Sequence, residues 1–141
     1  MNIDSIQNGI VIDHITAGRG MRLYELLHLD ELDCSVAIIK NVTSQKMGKK
    51  DIIKIDSDVD INMDVIGFVD PQATVNIIRE GERADKRCIE MPRELVNVIR
   101  CKNPRCITTT EQELDHVFRL TDRENKIYRC IYCETKAERM M

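Results

Sequence analysis

The chain is marked first by what it lacks. No apolar leader opens it, residues 1 to 8 reading MNIDSIQN, so a reducing, cytoplasmic setting is expected. No run approaches the roughly 20 apolar residues of a membrane-spanning helix, and no membrane partner is expected. There is no internal repeat and no low-complexity stretch. No Gly-x-Gly-x-x-Gly follows a strand-like run, no Gly-Lys-Ser/Thr phosphate loop occurs, and no Ser, His and Asp stand at a recognisable catalytic spacing. These absences disfavour an enzyme. An excess of positive charge is also missing. The net charge is −3 over 141 residues, and Cys101 to Met141 holds eight basic against seven acidic residues. That is no footprint for a phosphate backbone, so a protein partner fits better than nucleic acid.

What is present is concentrated in sulfur. Cys101-Lys-Asn-Pro-Arg-Cys106 is followed, after 23 residues, by Cys130-Ile-Tyr-Cys133. Two short Cys loops separated by one hairpin's length of chain can close four thiolates around a tetrahedral zinc ion, one per chain. A closed site leaves no position for water or substrate, so the expected role is structural. Two disulfides fit a reducing compartment poorly, and a redox Cys-x-x-Cys would open a helix rather than follow the strand-like Lys126-Ile-Tyr-Arg129. An iron site is the remaining alternative. Cys34 and Cys88 have no partner spacing and are expected to be small buried hydrophobes. From Pro92 onward only about fifty residues remain, a length at which a metal staple is expected. The division is therefore residues 1–92 and 93–141.

Along residues 1–92, strand and helix signals alternate. Gly9 to Ile15 reads as a strand, and Met21 to Leu29, with Leu23, Leu26 and Leu27, as a helix. Val36 to Val42 and Asp51 to Asp56 form a hairpin, with Thr43 to Lys49 as its turn. Asp58 to Phe68 reads as a second helix stopped by Pro71, and Ala73 to Ile78 as a fourth strand. A charged loop and a possible fifth strand near Lys86 to Met91 follow. This is the α+β order of a ferredoxin-like βαββαβ sandwich, with helices on one face of an antiparallel sheet and an uncovered edge or face open to a second copy. The C-terminal part reads as a small all-β, zinc-ribbon-like domain. Asp115 to Leu120, with His116 mid-strand, turns at Asp122 to Asn125, and Lys126 to Cys130 returns toward the metal.

In the third strand the period of two sends Lys50, Ile52 and Lys54 to one face and Ile53 and Ile55 to the other. A solvated outer face explains those lysines as well as an anionic ligand does. His14 alone reads as a hydrogen-bonded filler, and Asp13 as a cap. From the residues alone, a small α+β domain with a cationic strand is joined to a zinc ribbon. A nucleic-acid-binding or scaffold role stays open beside regulation.

The order of local strings goes further. Val11-Ile-Asp-His-Ile15, Met47-Gly-Lys-Lys-Asp-Ile-Ile-Lys-Ile-Asp56, Pro71-Gln-Ala-Thr-Val-Asn76 and the Cys-x4-Cys, Cys-x2-Cys ribbon together resemble the regulatory chain of aspartate carbamoyltransferase, from about Ile6 to Cys133. The resemblance implies a chain without catalytic activity that regulates an enzyme of pyrimidine biosynthesis. It implies an N-terminal nucleotide-binding allosteric domain that pairs as a homodimer and a zinc domain that docks on catalytic chains. Its effectors would be CTP, ATP and often UTP, held by residues matching Asp13, His14, Lys50, Lys54 and Lys86. Ile6, Val11 and Ile78 would wall the sugar and base, and Asn76 would supply hydrogen bonds. Gly81 stands where a larger side chain is often found near the base. The Cys101–Cys106 loop, with Asn103 and Arg105, is the candidate contact with the catalytic chain.

Overall fold

Apolar residues at alternate positions of Gly9–Thr16 (β1) and Gly48–Ile55 (β3) give each strand a buried side and an open side. Val36–Ser44 (β2), Thr74–Arg79 (β4) and Glu82–Cys88 (β5) join them in an antiparallel sheet of order β2-β3-β1-β4-β5. Two seven-residue helices, Gly20–Leu26 (α1) and Met63–Val69 (α2), complete the βαββαβ sandwich, with β5 added beyond β4. A computed structural model describes residues 6–137 and divides the chain into two units, Met1–Glu90 and Met91–Met140.

The first unit buries Ile10, Ile12, Ile15, Ile53, Ile55 and Val75 of the sheet together with Leu23 of α1 and Val65, Ile66 and Phe68 of α2. Truncating any of the fully buried isoleucines to Ala is worth about 2–5 kcal/mol. Gly9 is required where it stands, because a Cβ there would lie 2.1 Å from the Ile55 carbonyl oxygen. The strand face away from the helices carries half-exposed and polar side chains.

Both helices are shorter than their apolar periodicity suggests. α1 ends at Leu26, after which His28 adopts a left-handed φ of 54° and Leu29–Glu31 forms a 3-10 turn. α2 starts only at Met63, where Asn62 caps it by accepting the Asp64 N–H at 3.0 Å; Asp58 to Ile61 lies outside it. The charged loop expected after β4 is a tight turn at Glu80 and Gly81, both with positive φ. β5 therefore begins at Glu82, not near Lys86.

In the second unit Glu94–Val96 (β6), Val117–Asp122 (β7) and Ile127–Cys130 (β8) form a three-stranded antiparallel sheet of order β6-β7-β8. Leu95, Phe118 and Cys130 stand in one cross-strand row on its buried side, with Tyr128 beside them. The Tyr128 hydroxyl donates to the Pro92 carbonyl at 2.6 Å. The hairpin turn is held by Asp122, whose two oxygens accept the Asn125 N–H at 3.1 Å and its amide at 2.8 Å. β6 and the short helix Ile107–Thr110 (α3) were not expected from the sequence, three and four residues being too few to show a period. So small a core is what a metal-stapled domain displays.

Candidate functional site

The sulfurs of Cys101, Cys106, Cys130 and Cys133 all lie within 4.8 Å of one another. Cys101 and Cys133 are 3.5 Å apart, and Cys106 and Cys130 3.7 Å. A tetrahedron of thiolates about 2.3 Å from its metal has edges of about 3.8 Å, so the cluster has the dimensions of a four-thiolate site. Disulfides need sulfurs about 2.05 Å apart, and no disulfide joins these four. The donor set and its spacing fit zinc.

Elements of different kinds deliver the four sulfurs. Cys101 follows the chain leaving β6, Cys106 caps α3, Cys130 ends β8, and Cys133 lies in the turn beyond. The Thr108 hydroxyl donates to Cys106 Sγ at 3.1 Å, and the Thr135 hydroxyl lies 3.2 Å from Cys133 Sγ. These threonines were missed, although Cys106-Ile-Thr108 and Cys133-Glu-Thr135 repeat one Cys-x-Thr pattern. Burial pushes the Cys101 thiol up to about 12 and also raises Cys130. At Cys133 burial acts in the same direction, but the Thr135 hydroxyl and amide and the Asn103 side chain outweigh it and bring the thiol down to about 6.

His116 is not mid-strand. It immediately precedes β7, and its Nδ1 accepts the Cys101 N–H at 3.2 Å, so it orients a sulfur-bearing residue instead of presenting a ligand. Asn103 braces its own loop and the opposite knuckle: Oδ1 accepts the Arg105 N–H at 3.0 Å, its carbonyl accepts the Cys106 N–H at 3.0 Å and the Thr109 hydroxyl at 2.8 Å, and its amide lies 3.5 Å from the Thr135 hydroxyl. Arg105 is exposed. Cys34 and Cys88 are not core residues, the first being half-buried and the second exposed; both sit among polar neighbours where a thiol gains little burial.

The second candidate is the open face of the five-stranded sheet. Lys54, Val11, Asn76 and Lys86 are direct cross-strand neighbours on β3, β1, β4 and β5. Three strand spacings separate the two lysines, about 14 Å between Cα atoms, with Val11 and Asn76 between them. Their side chains are long enough to lean toward one group held over the row. Asn76 Oδ1 is shielded from solvent and has no hydrogen-bond partner among the described residues, an acceptor left for a ligand donor.

Beside this row, β1 bulges. Ile12 pairs with Ile53 and Ile15 with Asp51, so Asp13 and His14 together face Ile52, and His14 takes a φ of 57°. Such a bulge turns two adjacent side chains toward the same region. Asp13 forms an ion pair with Lys50 at 2.9 Å, and His14 Nδ1 is 3.0 Å from the Thr74 hydroxyl. Partial burial would raise the Asp13 carboxyl, but the Lys50 ammonium and the His14 amide outweigh it and hold it below its ordinary value. Ile78 is half-buried opposite Gly9, and Ile6 is buried over Gly9. All nine expected residues thus lie on or beside one face. Thr74 was missed, because its partner His14 is 60 residues away in sequence.

Comparison with known proteins gives a consistent match. Residues 1–90 match the family described as aspartate carbamoyltransferase regulatory chain, allosteric domain, and residues 93–141 the one described as aspartate carbamoyltransferase regulatory chain, metal binding domain. The chain is 48% identical over 134 residues to the aspartate carbamoyltransferase regulatory chain of Clostridium botulinum strain Hall, covering 95% of this chain and 92% of that one. It is 48% identical over 135 residues to that of Clostridium tetani, covering 95% and 94%. With that of Bifidobacterium longum it shares 45% identity over 138 residues, covering 98% and 99%.

Proposed function

The chain belongs to the aspartate carbamoyltransferase regulatory chain family, and from that premise we propose that its open sheet face binds nucleoside triphosphates while its four thiolates hold one structural zinc ion. It is a non-catalytic, allosteric subunit serving pyrimidine biosynthesis, and its partners are catalytic chains. No helix among the described residues is long and apolar enough to cross a membrane.

The observation that carries the nucleotide reading is the row Lys54, Val11, Asn76 and Lys86. A triphosphate needs converging cations, and lysine supplies them as adjustable point charges. Val11 and Ile78, with Ile6 at their edge, offer the apolar contact that a base or sugar requires. The unused Asn76 oxygen accepts a ligand N–H or O–H. Lys50 is oriented by Asp13, so that pair sets the far wall while His14 and Thr74 brace it. CTP, ATP and UTP are the effectors this site would hold, and two copies of the first domain would pair as a dimer.

An effector regulates by binding one state of the assembly better than the other, and a difference of about 1–3 kcal/mol changes substrate affinity several-fold to a hundredfold. The zinc would make the Cys101–Cys106 loop rigid enough to dock. Within that loop Arg105 is the contact residue, and Asn103 holds the backbone in shape.

Calorimetry of CTP and ATP against the full chain tests the site. Lys54→Ala and Lys86→Ala should each weaken binding roughly ten- to a hundredfold, since a charge-assisted contact is worth about 1.5–3 kcal/mol. Unchanged affinity in both variants would remove the site from this face. Elemental analysis should find close to one zinc per chain; a different metal at that stoichiometry would overturn the zinc assignment.

A further inference from the structure

The pairing of β4 with β5 carries one residue more on β5 than on β4. Asn76 faces Lys86 and Ile77 faces Asp85, but Ile78 faces Arg83, so Ala84 is the extra residue of a bulge. Strict alternation counted back from Lys86 would send Ala84 and Glu82 to the open face of the sheet and Arg83 to the other. The bulge reverses this. Arg83 becomes the cross-strand neighbour of Ile78, which shares the open face with Asn76. A guanidinium thus stands at the apolar end of the proposed nucleotide site, roughly 7 Å along the strands from the row of Lys54 and Lys86.

On its other side Ile78 pairs with Gly9, over which Ile6 is packed. A flat ring resting on Ile78 against Ile6 therefore turns its free edge toward β5, where Arg83 is next. The turn leading to Arg83 is tied to the segment that enters β1: the Gly81 N–H donates to the Gln7 carbonyl at 2.9 Å, and the Glu80 N–H to Asn8 Oδ1 at 3.3 Å. Gly81 has no side chain to crowd the ring. The two other arginines of this hairpin have carboxylates, Arg79 lying 3.9 Å from Asp58 and Arg87 3.1 Å from Asp85. Arg83 is exposed, and among the described residues its guanidinium is in no ion pair or hydrogen bond.

We propose that Arg83 reads the edge of the effector's base and selects bases that present two adjacent acceptors, which adds guanine nucleotides to the ligands of this site and sets adenine apart. The guanidinium fork donates two parallel hydrogen bonds and accepts none. Guanine offers it O6 with N7, and cytosine offers O2 with N3. On adenine the amine at C6 stands beside N7 and beside N1, so a donor meets half of the fork at either edge. This rests on the nucleotide reading given above and names the residue that sets base preference within it. The lysines of the row hold phosphates and carry no information about the base.

The test is calorimetry on the full, metal-loaded chain with CTP, GTP, ATP and ribose 5-triphosphate, which has the sugar and phosphates without a base. Arg83→Ala should weaken CTP and GTP at least tenfold and leave ATP and ribose 5-triphosphate within about twofold. Arg83→Lys keeps the charge without the fork and should also weaken CTP and GTP several-fold. Arg83→Gln keeps side-chain length if Ala loosens the edge strand, and the same selective loss is expected of it. Equal weakening of all four ligands overturns the proposal, since Arg83 would then act only as one more charge near the phosphates. Unchanged CTP and GTP affinity overturns it too, as does a wild-type chain that binds CTP but not GTP. If Lys54→Ala and Lys86→Ala leave CTP affinity unchanged, the site itself is misplaced and this assignment falls with it. If those variants lose affinity and the Arg83 variants do not, the site stands and the Arg83 assignment alone is wrong.

Discussion

Asp51 is fully buried, and its carboxylate is occupied entirely by backbone: Oδ1 accepts the Asn41 N–H, and Oδ2 accepts those of Gly18 and Gly20, each at 3.0 Å. One side chain on β3 thus caps α1 and holds the β2 bulge. Gly20 leaves room for it, since a Cβ there would stand 2.9 Å from Oδ2. In Asp51→Asn, whichever way the amide turns, an N–H must face a backbone N–H. A loss of about 2–4 kcal/mol is expected, read as a lower urea midpoint at constant slope; a midpoint equal to wild type would refute it. Asp13 behaves differently because it is half-exposed. Its carboxyl is held down in the folded protein, so the stability it contributes is complete above the ordinary carboxylate range and is lost as pH falls through the lowered folded value. Lys50→Gln should therefore raise the Asp13 pKa in a carboxyl NMR titration. The stability gap between variant and wild type should be constant above about pH 5 and shrink below it.

At the scale of elements, the metal knuckles and the edge strands differ in how openly the sequence announces them. The four cysteines were legible because metal geometry imposes a spacing on the chain itself. Helices α1 and α2 were found but drawn too long, since their apolar positions continue past the points where Leu27 and Asn62 end the hydrogen bonding. β5, reading Glu-Arg-Ala-Asp-Lys-Arg-Cys and exposed at every position, carries no periodic signal and exists because β4 offers it an edge. The proposed nucleotide row was partly hidden, for the cross-strand order that aligns Lys54, Val11, Asn76 and Lys86 is a property of pairing and not of any segment; strand periodicity singled out Lys54, and only the family resemblance suggested the other three. The Cys-x-Thr repeat leads to a prediction at this scale. Metal binding must displace protons held at Cys101 and Cys130, whereas Cys133, near 6, is already largely thiolate at neutral pH. Metal retention, followed with a chromophoric chelator, should fall steeply below about pH 6 with release coupled to more than one proton. Thr135→Val, which removes one of the groups holding Cys133 down, should move the release midpoint to higher pH and weaken binding roughly tenfold. A midpoint unmoved by that substitution would show the hydroxyl to be irrelevant.

For the whole molecule, the placement of each site decides what can be separated experimentally. Every residue of the proposed nucleotide row lies within Met1–Glu90 and every sulfur of the four-cysteine cluster within Met91–Met140. The first unit owes its core to isoleucines and valines buried between sheet and helices, and the second has a core of only a few side chains, the size at which a metal staple is expected. Chelation should therefore unfold the second unit, release the catalytic chains and leave CTP binding to the free chain within about twofold of its metal-loaded value, as separate cores require. A nucleotide affinity that falls tenfold or more on chelation would mean that the first unit does not fold independently. Regulation adds a reciprocal requirement. If CTP changes the assembly's affinity for aspartate by some factor, aspartate must change its affinity for CTP by the same factor. That factor should disappear entirely in the chelated, dissociated chain while intrinsic nucleotide binding survives. Calorimetric titration of CTP into the intact assembly with and without a saturating aspartate analogue, repeated with the chelated regulatory chain, measures both quantities. A shift that persisted without the metal would place the coupling inside the first unit alone.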